Sequence, residues 1–387
     1  MRRGSPALCG LLVVVAAGCS HVRARPEPQG HEVHFSEVVI TGDLELEKLN
    51  DEELFAAATS FYAAEDWAQA ARYFGRIADF HAKSRHRRAA LYNAGLALEK
   101  LKFWEEAHQR FVELSDPQKG VGDALDATFR VAETLYHLER YDEAVEVLKV
   151  VAERQDLGID KRFEAQVQQG VCELESGHAD AAEATLRKVL NAWQALSDRD
   201  VVDDYYPAQA QFFLGEIFRL SYESVTLDAN KTADELSKDL ELKAELLLSA
   251  QGHFLRTIRI GNGYWATAAG SQIGGLYQNL YEHMTNAPSP KDLNAEETAL
   301  YQAELRKKIR VLITKAITIY ERTLEAAERI GAQNQFVEKT RESLQKMKDL
   351  LLAEAKEEEE QPPAPSPQPA GRKTPRGGIP RTQVPRG

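Results

Sequence analysis

The sequence has few of the residues on which catalysis and metal binding usually depend. It contains only three cysteines, and its ten histidines are scattered without the spacing of metal ligands. A metalloprotease helix (His-Glu-x-x-His), a phosphate-binding loop (Gly-x-x-x-x-Gly-Lys) and a hydrolase elbow (Gly-x-Ser-x-Gly) are all missing. We therefore expect no catalytic residue, no cofactor and no metal site. An enzyme hidden in residues 240–350 is kept as a remote alternative.

An excess of positive charge is also lacking. The chain has a net charge of −12, with 28% charged and 43% hydrophobic residues. A surface that binds phosphate backbones needs clustered lysine and arginine, so nucleic acid is not an expected partner. The apolar share is sufficient for the core of a folded body.

Apolar runs long enough to span a bilayer are absent, but a shorter run lies near the N-terminus. Arg2 and Arg3 precede apolar residues that extend from Ala7 to Ala17. A run of this length is typical of a signal-peptide core and is too short for a membrane-spanning helix. Residues 1–18 are therefore predicted to be an export signal.

The end of this segment carries a second signal. Val15-Ala16-Ala17-Gly18-Cys19 resembles the lipobox of bacterial lipoproteins, although that family prefers leucine where Ala16 stands. The resemblance implies that Cys19 is lipidated after cleavage. The alternative is an ordinary signal peptide, cut near Ala17, with Cys19 incidental.

Lipidation would fix the location of the protein. Several acyl chains, at about 0.8 kcal/mol per buried CH₂, would hold the chain on a membrane permanently. Ser20, and not aspartate, follows the cysteine, which in such lipoproteins implies transfer to the outer membrane. We expect a lipid anchor at its periplasmic face, with residues 19–50 as a tether and lead-in.

The strongest signal in the sequence is an internal repeat. Four alanines recur at spacings of 37, 37 and 38 residues, each followed by Phe or Leu four residues later and by Ile, Leu or Val three residues after that. Such spacing places the apolar residues on one stripe of a helix. Twelve residues before each alanine stands a small residue, which lets a partner helix approach closely. The alanines are Ala70, Ala107, Ala144 and Ala182, and the small residues are Ala58, Gly95, Ala132 and Gly170.

This pattern resembles the tetratricopeptide repeat, a helical hairpin of 34 residues with small residues at its eighth and twentieth positions. The resemblance implies an all-α fold, a right-handed superhelical solenoid of antiparallel helical hairpins. Four repeats cover residues 51–197, although Glu173 departs from the large apolar residue expected at the eleventh position. Cys172 falls on an apolar helix face and is assigned to the core.

Beyond residue 197 the pattern weakens. We predict degenerate hairpins over residues 198–284, with an insertion at 221–239, and further helices over 285–360. Residues 361–387 hold 8 of the 15 prolines and five of the basic residues. Such a segment cannot bury a core and is predicted to be a disordered tail.

The tetratricopeptide resemblance implies that partners bind along the concave face of the first helices, at the second, fifth, ninth, twelfth and thirteenth positions. A carboxylate clamp is disfavoured, because no cation stands at the fifth position. We predict an aromatic-lined groove for an apolar or amphipathic segment. The alternative is that these aromatic side chains pack between hairpins and face no ligand. The predicted groove residues are Phe55, Tyr62, Tyr92, Phe129, Tyr136 and Val167.

These features together predict a membrane-anchored scaffold that binds other envelope proteins and assembles a motility, secretion or outer-membrane assembly machine. The plan is similar to that of tetratricopeptide lipoproteins of barrel-assembly, type IV pilus and gliding machineries, an analogy of fold only. A peptidoglycan-associated factor that coordinates cell-wall synthesis is the alternative. The basic tail would then contact the wall or another anionic surface, or have no fixed partner.

Overall fold

A computed structural model describes residues 45–116, 118, 122–197, 202–228, 230–286, 289 and 293–360. The predicted signal peptide, the lipidation site at Cys19 and the tail at 361–387 lie outside the described residues. Within the described part all regular structure is helical, which confirms the all-α prediction. Among these helices, none combines the length and apolarity needed to cross a membrane.

Thirteen α-helices and a preceding 3-10 turn at Leu46–Lys48 make up the described fold. They are α1 (Asp51–Ala63), α2 (Trp67–Phe80), α3 (Arg87–Lys100), α4 (Trp104–Val112), α5 (Asp123–His137), α6 (Tyr141–Ala152), α7 (Ile159–Glu175), α8 (Ala179–Gln194), α9 (Tyr205–Ser224), α10 (Ala233–Ile260), α11 (Gly263–Thr285), α12 (Ala295–Ile330) and α13 (Gln335–Glu360).

Each helix packs against the next one along the chain. Six hairpins, from α1–α2 to α11–α12, therefore follow one another, and α13 closes the stack. We call α1, α3, α5, α7, α9 and α11 the first helices of their hairpins. In the second half, successive first helices also contact each other, α7 with α9 and α9 with α11. Helix α11 contacts α13 in the same way.

The predicted small residues do face large side chains inside the hairpins. A Cβ atom added to Gly95 would lie 2.6 Å from the ring of Phe111, and one added to Gly170 would lie 2.9 Å from the side chain of Leu186. The four alanines that define the repeat are fully buried. The predicted close approach of paired helices is therefore confirmed in these hairpins.

The same contact recurs in the two C-terminal hairpins, where the sequence pattern is weak. A Cβ atom on Gly215 would lie 2.5 Å from Phe254, and one on Gly274 would lie 2.2 Å from Tyr320. Ala250 and Ala316, four residues before these rings, are fully buried. These hairpins follow the rule of the first four, with longer second helices of 28 and 36 residues.

The segment at 221–239, expected as an insertion, is mostly helical. Helix α9 continues to Ser224, and α10 begins at Ala233 after a capping box on Thr232, so residues 225–232 alone separate the two helices. The capping box satisfies backbone N–H groups that a helix start leaves without partners. Polar composition suggested an insertion longer than these eight residues because it does not distinguish a capped helix start from a turn.

A buried lysine holds the C-terminal end of α9. The Lys243 ammonium donates hydrogen bonds to the backbone oxygens of Tyr222 and Val225, both at 2.8 Å, and lies 4.0 Å from the Tyr222 ring centre. Burial lowers the pKa of Lys243 to about 8. Because the last carbonyl groups of a helix lack intrahelical donors, this side chain acts as a cap supplied from the neighbouring helix.

Cys172 and Glu173 both lie in the core. Cys172 is buried as predicted, and this burial raises the pKa of its thiol to about 12. Glu173, the departure from the repeat, is buried as well, and Gln169 donates a hydrogen bond of 2.7 Å to one of its oxygens. One oxygen of Glu173 thus has an amide donor on the same helix, while the other is buried without a hydrogen-bond partner among the described residues.

The turns within the first four hairpins share one backbone geometry. Glu65, Lys102 and Glu139 have φ angles of 60°, 62° and 58°, and Gly177 has the equivalent position with φ of 84°. This left-handed conformation costs residues with a Cβ atom about 1–2 kcal/mol, whereas glycine adopts it freely. Three of the four turns therefore carry a strained residue.

Candidate functional site

The predicted groove residues of the first hairpin have aromatic neighbours. Phe55 is half-buried, with its ring 4.3 Å from that of His86 in a stacked arrangement. Tyr62 is buried and meets Trp67 edge-on at 4.9 Å. The hydroxyl of Tyr62 is buried and has no hydrogen-bond partner among the described residues. Tyr62 thus belongs to the packing within the hairpin.

The next two predicted residues also pack against other elements. Tyr92 is half-buried, and its ring lies 5.6 Å from that of Phe111. Phe129 is only 8% exposed, and the ammonium of Lys161 lies 5.1 Å from its ring centre. The side chain of Phe129 therefore fills space between successive hairpins.

The last two predicted residues differ in exposure. Tyr136 is half-buried, packs edge-on against Tyr141 at 5.4 Å, and donates a hydrogen bond of 3.4 Å to Glu175. Val167 is fully buried.

The aromatic groove is therefore corrected at Tyr62, Phe129 and Val167. Their side chains are buried in the core, which does not fit an open groove at these three residues. Phe55, Tyr92 and Tyr136 keep part of their surface exposed. That these three bind a partner stays a prediction.

Charged groups join the first helices of the second and third hairpins. Arg130 contacts Glu133 at 2.7 Å and Glu99 at 3.4 Å. Burial raises the pKa of Glu99 to about 8, against the opposing effect of the Arg130 charge. One oxygen of Glu99 is buried without a hydrogen-bond partner among the described residues. Together these groups form a polar contact between hairpins.

A polar groove lies between the first helices at the other end of the stack. It has a volume of about 350 Å³ and is formed by α9, α11 and α13, with Tyr320 of α12 also lining it. We call it the C-terminal groove. Its polar lining residues are Arg219, Tyr222, Glu223, Ser271, Gln272, Gln278, Asn279, Glu282, Tyr320, Lys339 and Ser343, beside Gly275 and Leu276.

The carboxylates on the α9 side of the groove are paired. Arg219 lies 2.9 Å from Glu216 and 2.5 Å from Glu223. Gln272 of α11 donates a further hydrogen bond of 2.8 Å to Glu216. Glu216 is buried, and burial raises its pKa, opposed by the charge of Arg219.

The carboxylate on the opposite side is paired as well. Glu282 accepts hydrogen bonds from Lys346 at 2.8 Å and from Gln278 at 3.2 Å. The hydroxyl of Tyr320 donates to the oxygen of the same Gln278 at 3.1 Å. These contacts fix the orientation of the Gln278 amide within the groove.

Two buried polar atoms of the groove have no hydrogen-bond partner among the described residues. Tyr222 is fully buried, yet its hydroxyl makes no hydrogen bond, and neither does the buried Oδ1 atom of Asn279. Lys339 is exposed and has no carboxylate within ion-pair distance among the described residues, while its charge lowers the pKa of Glu216 at longer range. A buried polar atom without a partner costs about 1–3 kcal/mol, so a ligand that supplies one gains that energy.

The repeat register would have located this groove. If Gly274 takes the eighth position opposite Tyr320, then Ser271, Gln278 and Asn279 take the fifth, twelfth and thirteenth. These are positions at which the tetratricopeptide resemblance implies partner contacts. The predicted groove residues all lie in the first four hairpins, and none was assigned to the degenerate hairpins, so these residues were missed.

The groove offers hydrogen-bond donors and acceptors, which suit the binding of a polypeptide. Throughout the described residues, no group of three or more His, Cys, Asp or Glu side chains is arranged to hold a metal ion. The packing of consecutive hairpins defines the class of the molecule as a helical-hairpin repeat protein.

No family model and no curated protein matches the chain. Among solved structures, a tetratricopeptide repeat protein from Parabacteroides merdae ATCC 43184 is 12% identical over 77% of this chain and 98% of its own, with a TM-score of 0.35. The apo form of RapI is 10% identical over 80% and 100%, with a TM-score of 0.40. MamA from Desulfovibrio magneticus RS-1 is 14% identical over 52% and 96%, with a TM-score of 0.32. These scores are low, and the fold assignment depends on the helix packing described above.

Proposed function

We propose that the chain is a scaffold without enzymatic activity that binds other proteins through its first helices, with the C-terminal groove as the main docking site. One observation carries the proposal. The groove is open, yet it keeps the Tyr222 hydroxyl and the Asn279 oxygen without hydrogen-bond partners among the described residues. A polypeptide main chain has the donors and acceptors that would satisfy both.

We propose further that the scaffold acts in the bacterial envelope, anchored to the outer membrane through Cys19, and assembles a motility, secretion or outer-membrane assembly machine. The support for this location is the lipobox resemblance alone. The support for a multi-partner role is the length of the stack, which has six hairpins followed by α13. Labelling with a palmitate analogue that is lost in Cys19→Ala would support the anchor, and unchanged labelling would contradict it.

The docking site can be tested by filling the groove. Gly275 lies in its lining, and an added Cβ atom would meet only one atom within 4 Å, a Gln272 oxygen at 3.9 Å. Gly275→Leu should therefore occupy the groove without disturbing the core. Gly252→Leu on α10 is a matched control, because an added Cβ atom there meets only an Arg256 nitrogen at 3.7 Å.

The measurement is a crosslinking pulldown of the full chain from cells, followed by identification of the captured proteins. We expect Gly275→Leu to lose partners that wild type and Gly252→Leu retain. A partner list unchanged by Gly275→Leu would contradict docking in the groove. An alanine variant of Phe55, Tyr92 and Tyr136 tests the aromatic residues in the same way.

The alternative of a peptidoglycan-associated factor has its own observation, the five basic residues of the 361–387 tail. Purified sacculi that retain the full chain but not a variant truncated after Glu360 would favour this alternative. Equal retention of both chains would remove its support.

A further inference from the structure

The contacts of the C-terminal groove also restrict what it binds. We propose that it takes an extended polypeptide segment with an acidic side chain, whose main-chain N–H donates to Asn279 and whose carboxylate pairs with Lys339. This inference deepens the proposed function and depends on it.

The charge of the ligand follows from which groups are already paired. Each of the three carboxylates near the groove forms an ion pair. Arg219 pairs with Glu216 and Glu223, and Lys346 pairs with Glu282. Lys339 is the cation of the lining without an ion pair among the described residues. An incoming cation would compete for carboxylates that already contact a cation. An incoming carboxylate finds the Lys339 ammonium with no carboxylate in contact, since its charge reaches Glu216 only at longer range. The arrangement therefore favours an acidic ligand.

The extended conformation follows from the uncharged groups. Asn279 presents a buried acceptor, and Tyr222 a buried hydroxyl that can donate or accept. An extended strand repeats N–H and C=O groups at about 3.3 Å per residue, so one segment can reach both side chains. A helical ligand uses its N–H and C=O groups internally and would leave both atoms unsatisfied.

The glycine in the lining gives the main chain room to approach. Gly274 is required by packing, because a Cβ atom there would lie 2.2 Å from Tyr320. The adjacent Gly275 is not, since its added Cβ atom would meet only one atom at 3.9 Å. The absence of a side chain at Gly275 therefore enlarges the groove, and no packing contact within the hairpin requires glycine there.

Random twelve-residue peptides displayed on phage provide the test, with purified residues 20–387 as bait, which omit the predicted signal peptide and the lipidation site at Cys19. Displayed in the interior of a coat protein, such peptides have no free C-terminus, so the acidic side chain itself is tested. Enriched peptides are then measured by fluorescence anisotropy, and thermal melts confirm that each variant is folded.

We expect peptides enriched in Asp and Glu, with affinity that falls about tenfold or more in Lys339→Ala and in Asn279→Ala. Lys339→Glu should shift the enriched peptides towards Lys and Arg. Gly275→Leu should abolish binding, and Gly252→Leu should leave it unchanged.

Two outcomes overturn the inference. In the first, wild type enriches basic or apolar peptides, and Gly275→Leu fails to bind them. That result would refute the acidic ligand and leave docking in the groove intact. Acidic peptides that bind Gly275→Leu normally, or no enrichment over background, would refute this ligand for the groove. The cellular pulldown then decides separately whether the scaffold function stands.

Discussion

Two adjacent glycines on α11 should respond to alanine in opposite directions. Gly274 packs against the ring of Tyr320, and a Cβ atom there would lie 2.2 Å from a ring carbon. Tyr320 is 2% exposed and hydrogen-bonded to Gln278, so its ring cannot move away without losing other contacts. Gly275, one residue later, has open space at the same atom.

The two effects can be estimated. Alanine gains about 1 kcal/mol over glycine in a helix interior. Overpacking a core costs about 1–3 kcal/mol, and a contact this short belongs at the upper end. Gly274→Ala should therefore lose about 2 kcal/mol of stability, while Gly275→Ala should gain about 0.5–1 kcal/mol.

Guanidinium unfolding followed by helical circular dichroism measures the midpoint for each variant. Hydrogen exchange along α11 locates the change, because stacked repeats can unfold in parts and a single midpoint then mixes several steps. Equal midpoints for Gly274→Ala and Gly275→Ala would refute the assignment of Gly274 as the close-contact glycine of the sixth hairpin.

The remaining predictions concern turns and buried titratable groups. Lys102→Gly should raise the free energy of unfolding by about 0.5–1 kcal/mol, because glycine relieves a left-handed φ angle. Gly177→Ala should lower the free energy of unfolding for the converse reason. Because the pKa of Glu99 in the fold is about 8, above its ordinary 4.5, stability should decline as pH rises from 5 to 8, and a Glu99→Gln variant should show less decline. Burial lowers the pKa of His253 to about 4, so stability should fall as pH drops from 6.5 towards 4, and less so in His253→Gln. Unfolding midpoints across pH check both, and slopes unchanged by the substitutions would contradict them.

Helix pairing was predictable from the sequence because it depends on side-chain size at fixed spacing. Gly95 must be small because Phe111 lies against it, and the same requirement recurs in each hairpin. Contacts between residues far apart in the sequence leave no such regular spacing of side-chain sizes. The cap that Lys243 supplies to α9 joins atoms 21 residues apart, and nothing local to either segment indicates it.

The orientation of the predicted groove residues was harder to predict. Their positions on the first helices follow from the register, but exposure depends on how far the neighbouring hairpin covers each one. Phe129 and Val167 are covered and Tyr92 is half-exposed, although all three take the fifth position. A repeat pattern specifies what lies within a hairpin more firmly than what lies between hairpins.

The two ends of the stack differ at the fifth position of the repeat, and this difference supports the proposed docking site. At the fifth position the early hairpins carry Phe55, Tyr92 and Phe129, whose rings fill the space beside the next helix. The sixth hairpin carries Ser271 at the equivalent position and Gly275 four residues later, and a groove lies there. Large side chains at this position close the first-helix surface, and small ones open it. We infer that the same repeat serves stability at one end and recognition at the other, so Lys339→Ala and Gly275→Leu should change binding with little effect on folding.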